Sequence, residues 1–219
     1  MTLRWARFSS DGHVLEEQEL DRRACECCQT SMVMTPLGAL VAYRDRSESE
    51  VRDIAVVRQT PGGWTPPAIV HADGWTIPGC PVNGPQLAAH GARAALAWFT
   101  APKNEGIVNI AFSDDSGARW SPPVRVDQGD PIGRVDLVMP DGDRAVVAWM
   151  ERAGDGAEIR ARFVARDGTM GEPLVVGLSA SSRAAGFPRV ALSGQYLYFS
   201  WTDPGDASQL RFSRVKVNE

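Results

Sequence analysis

A short apolar segment closed by an aromatic residue recurs four times along this chain, and that recurrence limits the folds open to it more than any other feature. The copies are ALVAY ending at Tyr43, AALAW at Trp98, AVVAW at Trp149 and LYFSW at Trp201, and the closing residues stand 55, 51 and 52 positions apart. A small residue precedes each aromatic (Ala42, Ala97, Ala148 and Ser200), so large and small side chains alternate in the same phase each time. In an extended strand neighbouring residues point to opposite faces, which gives one bulky apolar face and one face of methyl groups. A strand apolar on both faces belongs in a sheet enclosed by two others, the bulky face of one against the small face of the next.

The flanking segments repeat in a fixed order. Ahead of the aromatic runs come TSMVM from Thr30, PQLAA from Pro85, RVDLV from Arg134 and PRVAL from Pro188. Behind them come VRDIAVVR from Val51, IVNIAFS from Ile107, EIRARFV from Glu158 and QLRFSRV from Gln209, then PPAIV from Pro66, PPVRV from Pro122 and EPLVV from Glu172. Four strands in each repeat of roughly 40 to 50 residues is the size of a propeller blade. The sequence therefore predicts an all-β propeller of four-stranded antiparallel blades, one domain over 1–219. Blades are expected at 29–71, 83–127, 133–177 and 186–219, the last without its outer strand, and 1–20 reads as the third and fourth strands of a partial blade. Either the strand from Val14 to Leu20 completes the last blade, or the chain is the later part of a longer protein; the second is the favoured expectation.

Net charge is −4 with both signs scattered, so there is no basic footprint for nucleic acid. No apolar run approaches the roughly 18 residues of a membrane helix, and no signal-peptide pattern is read at the amino terminus. Self-association is expected if the ring of blades is incomplete.

Loops joining the fourth strand of one blade to the first of the next share one end of a propeller with the loops between second and third strands. That end is chemically rich. LDRRACECCQTSM from Leu20 carries Cys25, Cys27 and Cys28, and Cys80 lies in the matching loop one blade later, beyond His71 and Trp75. Three fates compete for these sulfurs. A disulfide most simply joins Cys80 to one of the other three, since the adjacent Cys27 and Cys28 rarely bridge each other. A thiolate metal site, Cys-x-Cys-Cys plus Cys80 with or without His71, suits Cu(I) or Zn²⁺. Free buried thiols are the third. The same end offers Arg44, Asp45, Arg46, Arg134, Asp136, Arg183 and Arg189 as ligand-binding candidates, whereas the turns opposite, such as TPLG, AAHG, MPDG and ALSG, are short. A functional site is expected on the elaborate loops.

At the short-turn end, SDDSGARW fits the pattern Ser-x-Asp-x-Gly-x-x-Trp, with Ser113, Asp115, Gly117 and Trp120 in the defining places. Asp115 can accept backbone N–H bonds, Gly117 allows positive φ, and Trp120 can anchor the hairpin. The motif resembles the Asp box of sialidase-like propellers. Together with ACECCQT, VAYRDRS, VHADGW, GCPVNGP, GRVDLV and SSRAAGFPR, it makes the chain similar to the carboxy-terminal part of bacterial sialidase-like proteins with Asp-box (BNR) repeats, an exported group. That resemblance implies about six blades in a complete protein, an exported location and a fold that handles carbohydrate.

Sialidases hold the substrate carboxylate with three arginines and use a Tyr nucleophile activated by Glu, with an Asp as acid/base. Here Arg44 or Arg46, Arg134, and Arg183 or Arg189 are available for an anion. Tyr43, Tyr196 and Tyr198 read as strand residues, so no nucleophile stands in a loop. Three expectations follow: a binding module for an anionic glycan or peptide, a copper or zinc protein built on the cysteines, and a sialidase-type hydrolase only in a complete protein.

Overall fold

The computed structural model describes residues 1–204 and 207–217. It is all-β apart from one 3-10 turn at Pro102–Asn104. β1 (Leu3–Phe8) and β2 (Val14–Asp21) form a two-stranded sheet. β3 (Ser31–Thr35), β4 (Gly38–Arg44), β5 (Ile54–Thr60) and β7 (Ala68–His71) form the next, with the two-residue β6 (Gly63–Trp64) also on β5. Two four-stranded sheets follow: β8 (Gln86–His90), β9 (Arg93–Thr100), β10 (Ile107–Ser113) and β11 (Val124–Arg125), then β12 (Pro131–Val138), β13 (Arg144–Ala153), β14 (Gly156–Ala165) and β15 (Leu174–Ala180). β16 (Gly186–Ser193), β17 (Tyr196–Asp203) and β18 (Gln209–Lys216) make the last. Every pairing is antiparallel and follows chain order, as in propeller blades. Among the described residues β2 ladders only with β1, and β18 only with β17.

The repeated aromatics occupy equivalent places on the second strand, facing Ala55, Asn109, Arg160 and Arg211 of the third. Each blade interface has its own apolar cluster, built as the alternation demands. Leu96 and Trp98 meet Leu40 and Ala42 of the preceding blade, while Ala95 and Ala97 on the other face of β9 receive Val147 and Trp149 of the following one. Ala148 and Met150 likewise receive Leu197, Phe199 and Trp201. Tyr43 and Val41 meet Leu3, Trp5 and Leu20 of the first sheet. Trp98 and Trp149 are wholly buried, and truncating such a residue to Ala costs about 3–5 kcal/mol.

A buried indole or phenol needs a polar partner, and three of these four find one on the blade before. Tyr43 Oη donates to Asp21 at the end of β2. Trp98 Nε1 donates to Asp73 Oδ2, just beyond β7, at 2.7 Å, and Trp201 Nε1 to the Leu178 carbonyl of β15 at 3.0 Å. Trp149 Nε1 uses Glu151 Oε2 of its own strand, at 2.6 Å. The repeat thus sets both the apolar packing and the polar stitch between blades.

Candidate functional site

Antiparallel order puts the loops 22–30, 45–53, 72–85, 126–130 and 181–185 at one end, and they interlock there. Asn83, in the loop after β7, is the hub. Its carbonyl accepts from Arg44 Nε at 2.8 Å, its Nδ2 donates to the Ile132 carbonyl at 3.2 Å, and its Oδ1 accepts the Arg134 N–H at 2.6 Å. Cys80, immediately before the Pro81-Val82-Asn83 run, is bonded to Cys27, with Cα atoms 6.0 Å apart. Arg183 Nη2 reaches the Cys80 carbonyl at 3.2 Å from two blades further on.

The arginines divide into sealed and open ones. Arg44 is 1% exposed. It donates to the carbonyls of Asn83, Arg52 (2.5 Å) and Phe99 (2.5 Å), and its guanidinium lies 4.9 Å from the Trp75 ring centroid. Burial presses its pKa down, opposed by the nearby Cys28 and Cys25 sulfurs. Arg134 is also buried, with φ of 54°. It donates to the carbonyls of Ser182 (3.1 Å), Arg183 (3.0 Å) and Ala185, and its guanidinium stacks 4.7 Å from the Phe187 ring. Both hold loops in place, and neither guanidinium faces solvent as a ligand-binding arginine would. Arg46 is bound by Glu26 and Glu50, the latter at 2.9 Å. Asp45 bridges Ala24 through its backbone and donates its N–H to the Asp53 carbonyl at 2.9 Å, and burial raises its carboxyl pKa.

Arg189 is different. Its side chain is 66% exposed, and its Nε sits 3.4 Å from Asp136 Oδ2. Asp136 is buried, accepts the Val190 N–H at 2.7 Å, and has its pKa raised by that burial. The open guanidinium is therefore oriented by a carboxylate behind it. A cleft beside it is lined by Gln29, Gly84, Gln86, Phe187 and Pro188, with Arg134 and Val135 in its wall.

The cysteines form the second focus. Cys25, Cys27 and Cys28 have sulfurs within 4.8 Å of one another. Cys25 and Cys28 are unpaired, buried and half-buried respectively, with Sγ atoms 2.9 Å apart. Arg52 Nη1 lies 3.3 Å from Cys25 Sγ. The hydrogen bond from Cys28 lowers the Cys25 pKa to about 6, with the Cys27 N–H, Arg52 and Arg44 adding to it against burial. The same bond and burial push Cys28 up. These donors fit a soft cation poorly, since two of the four sulfurs are bonded to each other and two guanidiniums flank the remaining pair. His71 stands apart from them, its Nδ1 on Asp73 Oδ1 at 2.9 Å.

At the opposite end the Ser-x-Asp-x-Gly-x-x-Trp turn joins β10 to β11. Ser113 Oγ donates to Asp115 Oδ1 at 3.0 Å and accepts the Gly117 N–H at 2.9 Å. Asp115 accepts the Arg119 N–H at 2.9 Å and its Nε at 2.7 Å. Gly117 has φ of +79°, and a Cβ there would lie 2.6 Å from Leu40 Cδ1. Trp120 packs on the same interblade cluster as Leu40.

No family model matches the sequence, and no curated protein does. Solved structures do match. The chain is similar to the Hadza microbial sialidase Hz136, with a TM-score of 0.56 and 20% identity, over 84% of this chain and 43% of that one. It is similar to the phage phi92 endosialidase at a TM-score of 0.65 and 12% identity, over 95% and 39%. The Trypanosoma rangeli sialidase in complex with sialic acid gives 0.53 and 12%, over 97% and 40%. The chain has a sialidase-like β-propeller fold, and it spans less than half the length of these proteins.

Asn83, Arg52, Gln29 and Gln86 were not singled out by sequence reasoning. Nothing local marks Arg52, Gln29 or Gln86, because each acts through a loop that is distant in sequence. Asn83 alone had a signal, as the one carboxamide in a Pro- and Gly-rich loop.

Proposed function

We propose that this protein is a sialidase-like propeller that binds an anionic glycan at its loop-rich end. The observation that carries this reading is the cleft beside Arg189: an exposed guanidinium oriented by the buried Asp136, next to the carboxamides of Gln29 and Gln86. A guanidinium makes paired charge-assisted hydrogen bonds to a carboxylate, and carboxamides offer both donors and acceptors to sugar hydroxyls. Arg183, exposed at the same end, adds positive charge. Two fold neighbours are sialidases, and one of them holds sialic acid.

Hydrolysis by this chain is not part of the proposal. Tyr43 lies 1% exposed with its hydroxyl on Asp21, and burial and that carboxylate raise its pKa. Tyr196 and Tyr198 stand on β17.

The test is titration of the protein with a sialylated trisaccharide, a uronate oligosaccharide, an acidic peptide and a neutral analogue of the trisaccharide. Acidic sugars should bind, the neutral one should not, and Arg189→Ala should weaken binding by about 10- to 100-fold, the worth of one charged hydrogen-bonding group. Equal affinity for acidic and neutral sugars, preference for the peptide, or binding unchanged in Arg189→Ala would overturn the reading.

A further inference from the structure

The loop 22–30 contains a feature that sugar binding does not use. Cys25-Glu26-Cys27-Cys28 holds two unpaired thiols at Cys-x-x-Cys spacing, while the cysteine between them is joined to Cys80. The two free sulfurs are 2.9 Å apart, closer than unbonded sulfurs usually pack and within a small shift of the roughly 2.05 Å of a disulfide. Their surroundings are unequal. Cys25 is buried, its backbone N–H is fixed on the Arg44 carbonyl at 2.9 Å, and Arg52 Nη1 lies 3.3 Å from its sulfur. Cys28 is half-buried. Two flanking guanidiniums favour sulfur as an anion, and the Cys28 S–H is placed to donate to it.

We propose that Cys25 and Cys28 are a peroxide-reactive dithiol, in which the Cys25 thiolate is the nucleophile and Cys28 closes the disulfide. In the first step Cys25 sulfur attacks one oxygen of hydrogen peroxide. The O–O bond breaks, hydroxide leaves, and Cys25 becomes a sulfenic acid, having lost two electrons to the peroxide. In the second step Cys28 sulfur attacks the Cys25 sulfur, and the departing hydroxide leaves as water with the Cys28 proton. The net change is one peroxide reduced and one Cys25–Cys28 disulfide formed. The Arg52 guanidinium stabilises the thiolate before attack and faces the hydroxide as it forms. Hydrogen peroxide is small enough to reach a sulfur that a protein disulfide could not.

Cys27 gives the chemistry a built-in comparison. Its sulfur is 3.8 Å from Cys25, so exchange of the Cys25 thiolate into the Cys27–Cys80 bond is the competing route, and it would yield a Cys25–Cys27 link with a free Cys80. The larger separation and the closer Cys28 favour closure on Cys28.

The experiment uses the full chain, gently reduced so that two thiols are free, then given one equivalent of hydrogen peroxide and mapped by peptide mass spectrometry. The expected product has a Cys25–Cys28 link and an unchanged Cys27–Cys80 link. Both thiols should be lost about tenfold or more faster than those of a denatured sample, in line with a larger thiolate fraction. In Cys28→Ser, a 1,3-dicarbonyl probe should capture a sulfenic acid on Cys25; should that variant fail to fold, the mapping of the wild-type chain decides alone. A Cys25–Cys27 product, thiols still open to alkylation after peroxide, a rate equal to that of the denatured sample, or one bound metal ion per chain shielding both thiols would each overturn the proposal. So would a Cys25–Cys28 bond that resists reductants until Cys27–Cys80 has gone, since that would make the pair structural.

Discussion

The two ends of the propeller are both held by polar bonds, yet on different scales of sequence. At the short-turn end the bonds of Ser113, Asp115, Gly117 and Arg119 close within a single turn. At the loop-rich end the bonds of Arg44 reach Asn83 and Phe99, those of Arg134 reach Ser182 and Ala185, and Cys27 reaches Cys80. The first end is a local device set by one motif, joined to the next blade by surface ion pairs such as Arg166 with Asp114 and Arg93 with Asp143. The second is a web across blades, in which each loop depends on the placement of another. Local capping can be lost without disturbing its neighbours, whereas a web fails together. The loop-rich end should therefore dominate stability.

Arg44→Ala is the harshest way to test that contrast. It leaves three buried carbonyls without their donor and a cavity under Trp75. A loss of about 3–5 kcal/mol is expected, the range for breaking a buried charged network. Chemical denaturation reads it, and a loss below about 1 kcal/mol would mean the loops hold one another without this arginine. Cys80→Ser should come next. It opens a loop spanning 53 residues, and removal of such a bond costs about 2–4 kcal/mol. A midpoint unchanged between oxidised wild type and this variant would show that the web does not need its covalent tie. Gly117→Ala, at the other end, meets a positive φ and the Leu40 side chain together. It should cost about 1–3 kcal/mol, less than either change at the loop-rich end; a larger loss would reverse the contrast.

The same difference in range explains what could be read from the sequence. The blade pattern was legible because it rests on side-chain alternation within single strands, and the clusters around Trp98, Trp149 and Trp201 use that alternation. That Arg44 and Arg134 would be sealed was not legible. VAYRDRS and GRVDLV show an arginine beside a strand, and only the position of Asn83, Phe99 and loop 181–185 decides whether its guanidinium meets carbonyls or water. Arg189 looked no different in sequence, yet it lies open because its partner, Asp136, is buried behind it. The choice of Cys27 over Cys25 or Cys28 as the partner of Cys80 was equally hidden, since three neighbouring sulfurs differ only in direction. Sequence grouped these residues at one end and left their orientation open.

The smallest effect distinguishes the ends by sign. Around Asp115 partial burial raises the pKa, but the Arg119 side chain and N–H and the Ser113 hydroxyl outweigh it and bring the carboxyl from 3.8 down to about 2. A carboxyl lowered on folding stabilises the folded state above its unfolded pKa of about 3.9, and that contribution is lost as pH falls towards about 2. At the loop-rich end burial raises Asp136, Asp53 and Asp45 instead, so each binds its proton more tightly when folded, and its contribution to stability declines as pH rises through the window between unfolded and folded pKa values. Wild-type stability against pH is a sum of opposing slopes and reveals neither alone. The difference between wild type and Asp115→Asn isolates one of them. It should be under about 1 kcal/mol near neutrality, the worth of one exposed capping bond, and should shrink steadily from about pH 5 to about pH 2 as the wild-type carboxyl gains a proton. Thermal melts of both proteins across that interval measure it, and a difference that stays constant or grows towards acid would mean that Asp115 is not held as a carboxylate by its turn.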